Sequence, residues 1–150
     1  MRPGLALLTC LVSLALLGCK SPAPSAPAPS PSTAWMTTPS GLGIRDLVPG
    51  KGPQPRAGQT CVVHVKGWVE EAGGPGAPFL DTRKRGFPDV FPLGAGRVIQ
   101  GWDEGLATMK QGGRRLLRVP PALGYAPQEM GKGVTPGATL LFELDLLEVR

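Results

Sequence analysis

The sequence predicts an α+β fold: a curved sheet with one face wrapped around a single short helix. Residues 60–68, 114–119 and 139–149 are rich in β-branched residues or alternate apolar with polar, as strands do. Only residues 98–106 carry a clear helical period. The connections are marked by Gly and Pro and suit antiparallel neighbours. At 150 residues the chain is long enough for one domain with a real core.

Residues 1–18 read as a secretory signal, with Arg2 followed by an apolar run over residues 5–17 that is too short to span a bilayer as a mature helix. Leu16-Leu17-Gly18-Cys19 resembles the bacterial lipobox, which implies cleavage ahead of Cys19 and acylation of the new N-terminus. Residues 19–40 are then the lipidated Cys and a tether of Ser, Pro, Ala and Thr, too poor in apolar surface to fold. Trp35-Met36 stands out there, either an exposed accident or the start of docking onto the domain. Lipidation would hold residues 41–150 near a membrane surface. The absence of Asp after Cys19 favours the outer membrane of a bacterial envelope over the inner one.

Within the domain, residues 41–46 alternate loosely as an edge strand, and a Pro/Gly loop follows through Pro55. Residues 60–68 form the strongest strand. Its His64 has no recognisable Ser, Cys or Asp partner, so a structural, hydrogen-bonded His is expected rather than a general base. Residues 71–78 read as a Gly/Pro turn, and Phe79-Leu80-Asp81-Thr82 begins a short strand. A carboxylate beside two large apolar residues is costly unless it is hydrogen-bonded or useful, so Asp81 either caps a turn or serves a site. Residues 87–93 form a return strand that leads through Gly94-Ala95-Gly96 into the helix. That turn lacks the second half of a phosphate loop.

In the helix, Val98, Ile99, Trp102 and Leu106 share one face, with Asp103 and Glu104 turned away. Gly101 and Gly105 each cost about 1 kcal/mol of helix propensity, so packing around the Trp must keep so short a helix ordered. The indole is either plain core or the floor of an apolar pocket. A strand at 114–119, a break at Pro120-Pro121, a long loop from Gly124 and a last half-buried strand at 139–149 complete the chain.

Composition narrows the function. Cys10 is lost with the signal and Cys19 is modified, so Cys61 is left alone as a buried, inert thiol and no disulfide framework is possible. With one His, a metal site is not expected. The net charge of +5 is scattered apart from Arg83-Lys84-Arg85 and Arg114-Arg115, which fits a solvated basic surface better than a nucleic-acid interface.

Taken together, Gly58-Gln59-Thr60-Cys61-Val62-Val63-His64-Val65-Lys66-Gly67, Leu93-Gly94, Val98-Ile99-Gln100-Gly101-Trp102-Asp103-Glu104-Gly105 and Ala138-Thr139-Leu140-Leu141-Phe142-Glu143-Leu144 resemble the FKBP-type peptidyl-prolyl cis-trans isomerases, in a bacterial lipoprotein form. The resemblance covers about residues 41–150 in unbroken order. It implies an antiparallel sheet of five or six strands folded around the helix, with a shallow pocket between them for the proline ring of a peptide. Trp102 would be the floor, with Val98 and Ile99 as wall. The Ile99 N–H and the Tyr125 hydroxyl would be donors, and Asp81 the pocket carboxylate. Leu80, Phe91, Val134 and Phe142 match apolar positions around it.

Three departures stand out. The family's usual Phe-Asp-Ser is Leu80-Asp81-Thr82 here, with Phe79 just before it. The aromatic expected two residues ahead of Phe91 falls on Asp89, with Phe87 to replace it if the turn is shifted, and the usual Tyr after His64 is Val65. The resemblance implies isomerisation of X-Pro bonds in exported or envelope proteins, no cofactor, and macrolide-type inhibitors. A second reading is a chaperone or assembly module that grips proline segments with weak catalysis. Chaperone-like relatives carry an inserted flap between the positions of Tyr125 and Phe142, or a long N-terminal dimerisation helix. Here 16 residues fill the first place and a Pro-rich tether the second, which favours a plain isomerase and a monomer.

Overall fold

The computed structural model describes residues 34–125 and 133–150. The signal segment 1–18, Cys19, most of the tether and the greater part of the loop after Tyr125 lie outside the described residues.

Among the described residues, seven strands form one antiparallel sheet: β1 (Met36–Thr37), β2 (Gly43–Val48), β3 (Thr60–Glu71), β4 (Gly74–Asp81), β5 (Asp89–Pro92), β6 (Arg114–Val119) and β7 (Leu140–Val149). Their order is β1-β2-β6-β7-β3-β4, with β5 on β3. The count exceeds the five or six expected because the end of the tether joins the sheet. Met36 pairs with Ile44, and the Arg45 guanidinium lies 5.1 Å from the Trp35 ring centre. Trp35-Met36 is therefore the start of docking.

β3 organises the rest. One side pairs with β7 from Cys61 to Val69. On its other side β5 pairs with Thr60 to Val63 and β4 with Lys66 to Glu71. Between β4 and β5 the chain leaves the sheet through a one-turn helix, α1 (Thr82–Arg85). The expected turn at 71–78 is instead a tight hairpin, with Ala72 and Gly73 at φ 47° and 81°, both left-handed as a type I′ connection requires. Pro75 and Pro78 are accommodated because β4 is an edge strand, where missing N–H donors cost nothing.

The inner row of the sheet is apolar: Cys61, Val63, Val65 and Val69 from β3, and Leu140, Phe142, Leu144 and Leu146 from β7. Against it lies α2 (Gln100–Ala107), with Trp102 and Leu106 buried. The helix glycines explain themselves here. A Cβ on Gly101 would stand 2.8 Å from Val119 Cγ1, and one on Gly105 2.5 Å from Leu117 Cδ1, so their absence lets the helix sit directly on β6. Close packing repays the lost propensity.

Arg115, inside a pair that could have marked a basic patch, is internal. It grips Asp46 through two bonds of 2.5 and 3.1 Å, and its Nη1 donates to Gly105 O at 2.6 Å and Thr108 Oγ1 at 2.7 Å. One guanidinium thus joins β2, β6 and the end of α2. Arg83 and Arg114 share Asp145. Cys61 is fully buried, and burial, then the Asp103 charge, pushes its thiol up.

Candidate functional site

The strands and α2 enclose a pocket of about 610 Å³. Trp102 comes from the first turn of α2 and is held edge-on by Phe142 of β7, with ring centres 5.2 Å apart at 87°. Phe91 of β5 flanks it at 6.0 Å and 35°. Phe79 meets Phe142 at 5.8 Å and Tyr125 at 6.5 Å, both edge to face. The five rings form a chain, Tyr125-Phe79-Phe142-Trp102-Phe91, in favoured geometries that fix each ring by its neighbour. Val98, Ile99 and Leu80 complete the apolar lining.

The polar groups stand around these rings. Ile99 leads into α2 with φ −59° and ψ 147°, and its carbonyl accepts from Trp102 N–H at 2.9 Å. Its own N–H has no hydrogen-bond partner among the described residues. Tyr125 is half-buried, and burial followed by the nearby Asp89 carboxylate raises its phenol above the ordinary value. Its hydroxyl therefore stays protonated, and able to donate, across the neutral range. Asp89 lines the pocket and is ion-paired with Arg85, while Arg97 lines it without an ion pair among the described residues.

A family model described as FKBP-type peptidyl-prolyl cis-trans isomerase matches residues 52–147. The chain belongs to the FKBP-type peptidyl-prolyl cis-trans isomerases. It is 42% identical to an FK506-binding protein of Neisseria meningitidis serogroup B over 109 residues, 73% of this chain and 96% of that one. Identity to an FK506-binding protein of Streptomyces anulatus is 46% over 112 residues, covering 74% and 88%. Among solved structures, AtFKBP13 superposes with a TM-score of 0.66 at 34% identity over 78% of this chain and 99% of that one. FkpA from Escherichia coli does so with 0.70 at 35% over 79% of this chain, which spans 53% of the FkpA chain.

The isomerase reaction asks little covalent chemistry of such a site. Amide resonance sets a barrier of about 18–20 kcal/mol, and the X-Pro bond must only rotate. A pocket that suits the twisted amide, which has lost resonance, and donors that hold the peptide near that geometry lower the barrier without a nucleophile.

Of the residues expected in this isomerase's site, Leu80, Phe91, Val98, Ile99, Trp102 and Tyr125 line one pocket. Phe142 is fully buried beneath Trp102 and supports it from behind. Val134 lines an adjacent cleft that shares Tyr125. Three expectations need correction. Asp81 does not face the rings: its Oδ1 caps α1, accepting from Arg83 N–H at 3.1 Å and Lys84 N–H at 3.2 Å, in a recess with His64, Arg83 and Asp145. The capping alternative holds, because two N–H groups at the start of α1 donate to this carboxylate.

Val65 is buried in the core, and its backbone N–H and C=O both bond the Thr82 hydroxyl. Phe87 is 56% exposed under the Arg85 guanidinium, so it does not replace the missing aromatic. His64 is structural as expected, its Nδ1 3.0 Å from Thr82 Oγ1.

Sequence reasoning missed Asp89, Arg97, Val90 and Pro92 as pocket lining and Phe79 as the ring joining Tyr125 to Phe142. The Asp89 substitution for an aromatic was the available signal.

Proposed function

We propose that the Trp102 pocket is the seat of isomerisation, with the proline ring over the indole and against Phe91, Val98, Ile99 and Leu80. The Ile99 N–H and the Tyr125 hydroxyl hold the peptide carbonyls, and the macrolide FK506 competes for the same seat. The observation that carries this reading is the Trp102 floor with, three residues before it, an Ile99 N–H that has no hydrogen-bond partner among the described residues. The names of the relatives, FK506-binding proteins, support the inhibitor assignment. Neither donor passes a proton; each only fixes an oxygen, so activity should be flat through neutral pH.

The chain acts as a monomer on exported or envelope proteins, held in the bacterial envelope by lipid at Cys19, on the outer rather than the inner membrane. Residues 5–17, Cys19 and the Ser/Pro/Ala-rich stretch after it support this. Fractionation of cells expressing the full chain and its Cys19→Ser variant tests the anchor. Native protein in the membrane fraction and variant in the soluble one is expected; a variant that stays with membrane removes the lipid assignment.

A further inference from the structure

The pocket rim carries two charges that a site for an apolar ring does not need. Asp89 is already neutralised by Arg85, four residues before it. Arg97 is exposed, lines the same pocket two residues ahead of Ile99, and has no ion pair or side-chain hydrogen bond among the described residues. Every other lining residue among the described residues is uncharged. The turn that carries Arg97 is tied to the helix, since Gly94 N–H donates to Asp103 Oδ1 at 2.9 Å. Among the described residues the guanidinium is therefore the one uncompensated charge on the pocket lining, on a backbone anchored to α2. It offers several donors in a planar fork suited to a carboxylate.

We propose that Arg97 is a specificity-determining residue that makes this isomerase favour proline segments with an acidic side chain beside the proline. The inference rests on the Trp102 pocket being the seat of isomerisation. A basic side chain gains less, because it must displace Arg85 to reach Asp89.

NMR exchange measurements with the full chain test it, on short peptides carrying Glu, Leu or Lys immediately before or immediately after the proline. An exposed ion pair predicts that kcat/KM for the Glu peptide exceeds that for its Lys counterpart by about two- to fivefold in at least one of the two places. The gap should narrow with added salt. Arg97→Glu should invert the order and Arg97→Lys keep its direction, each compared within one variant so that changes in overall rate cancel. Equal rates for Glu and Lys, a preference for Lys, or an order unchanged in Arg97→Glu overturns the inference. Failure of the native chain to accelerate any of the peptides overturns the pocket reading itself and this inference with it.

Discussion

Replacing Trp102 by Leu separates the pocket's floor from its scaffold. The indole makes two ring contacts, with Phe142 at 5.2 Å and Phe91 at 6.0 Å. Each such pair is worth about 0.5–1.5 kcal/mol, and the smaller side chain leaves a partial cavity, so the loss of stability should be about 2–4 kcal/mol. The indole N–H has no partner among the described residues, so no hydrogen bond is lost with it. A domain of this size holds about 5–15 kcal/mol, and the variant should remain folded at 25 °C, melting roughly 10–15 °C lower.

The effect on the pocket is separate. Removing the flat indole takes about 40 Å² of apolar contact from a proline ring, near 1 kcal/mol at about 25 cal/mol/Å², or about fivefold in affinity. Circular dichroism checks the fold, and competition against FK506 reads the affinity. A folded Trp102→Leu chain with unaltered affinity would refute the placing of Trp102 under the ligand.

Three further outcomes follow from the geometry. Gly105→Ala puts a Cβ 2.5 Å from Leu117 Cδ1 and should destabilise by about 1–3 kcal/mol despite the better helix propensity; a rise in urea midpoint would contradict the close helix-sheet contact. Tyr125 is the only tyrosine, so the near-ultraviolet tyrosinate signal reports it alone, and it should titrate above the ordinary value of about 10 when folded and near that value in denaturant. The sign is that of a raised group: its contribution to stability is complete below about pH 10 and is lost as the unfolded chain ionises first, upward through the folded value. Equal midpoints in the two states would show that the ring is neither buried nor under the influence of the Asp89 charge as described. Asp81→Ala removes the cap of α1 and should cost about 0.5–2 kcal/mol of stability, whereas a loss of turnover beyond about tenfold would return its carboxylate to the site.

The strands at β3, β6 and β7 and the helix around Trp102 were legible because burial on one face imposes a period on the sequence, and those periods survive in the chain as written. The β3–β4 hairpin was not. Ala72 gives no turn signal, and Pro75, Gly76 and Pro78 resemble a loop unless the strand is known to lie at an edge, which is a fact about the whole sheet. The same limit governed the site. Sequence places Asp81 beside Phe79 and Leu80, but only the backbone decides whether its carboxylate turns toward the rings or toward the α1 N–H groups. Asp89 and Arg97 come together through the return of β5 along β3 and the turn into α2, neither of which has a local signature. The Trp102, Ile99 and Tyr125 set was readable because the resemblance fixes those positions one by one.

Exchange spectroscopy on a Leu-Pro peptide with the full chain, before and after saturation with FK506, tests the Trp102 pocket most directly. Uncatalysed exchange takes tens to hundreds of seconds. Catalytic amounts of the chain should shorten it to the point where cis and trans signals exchange during the measurement, and saturation should restore the slow rate while shifting the resonances of Trp102, Ile99 and Tyr125. Fast exchange that persists at saturation, or inhibition with those three resonances unmoved, would place the isomerase site elsewhere on the sheet.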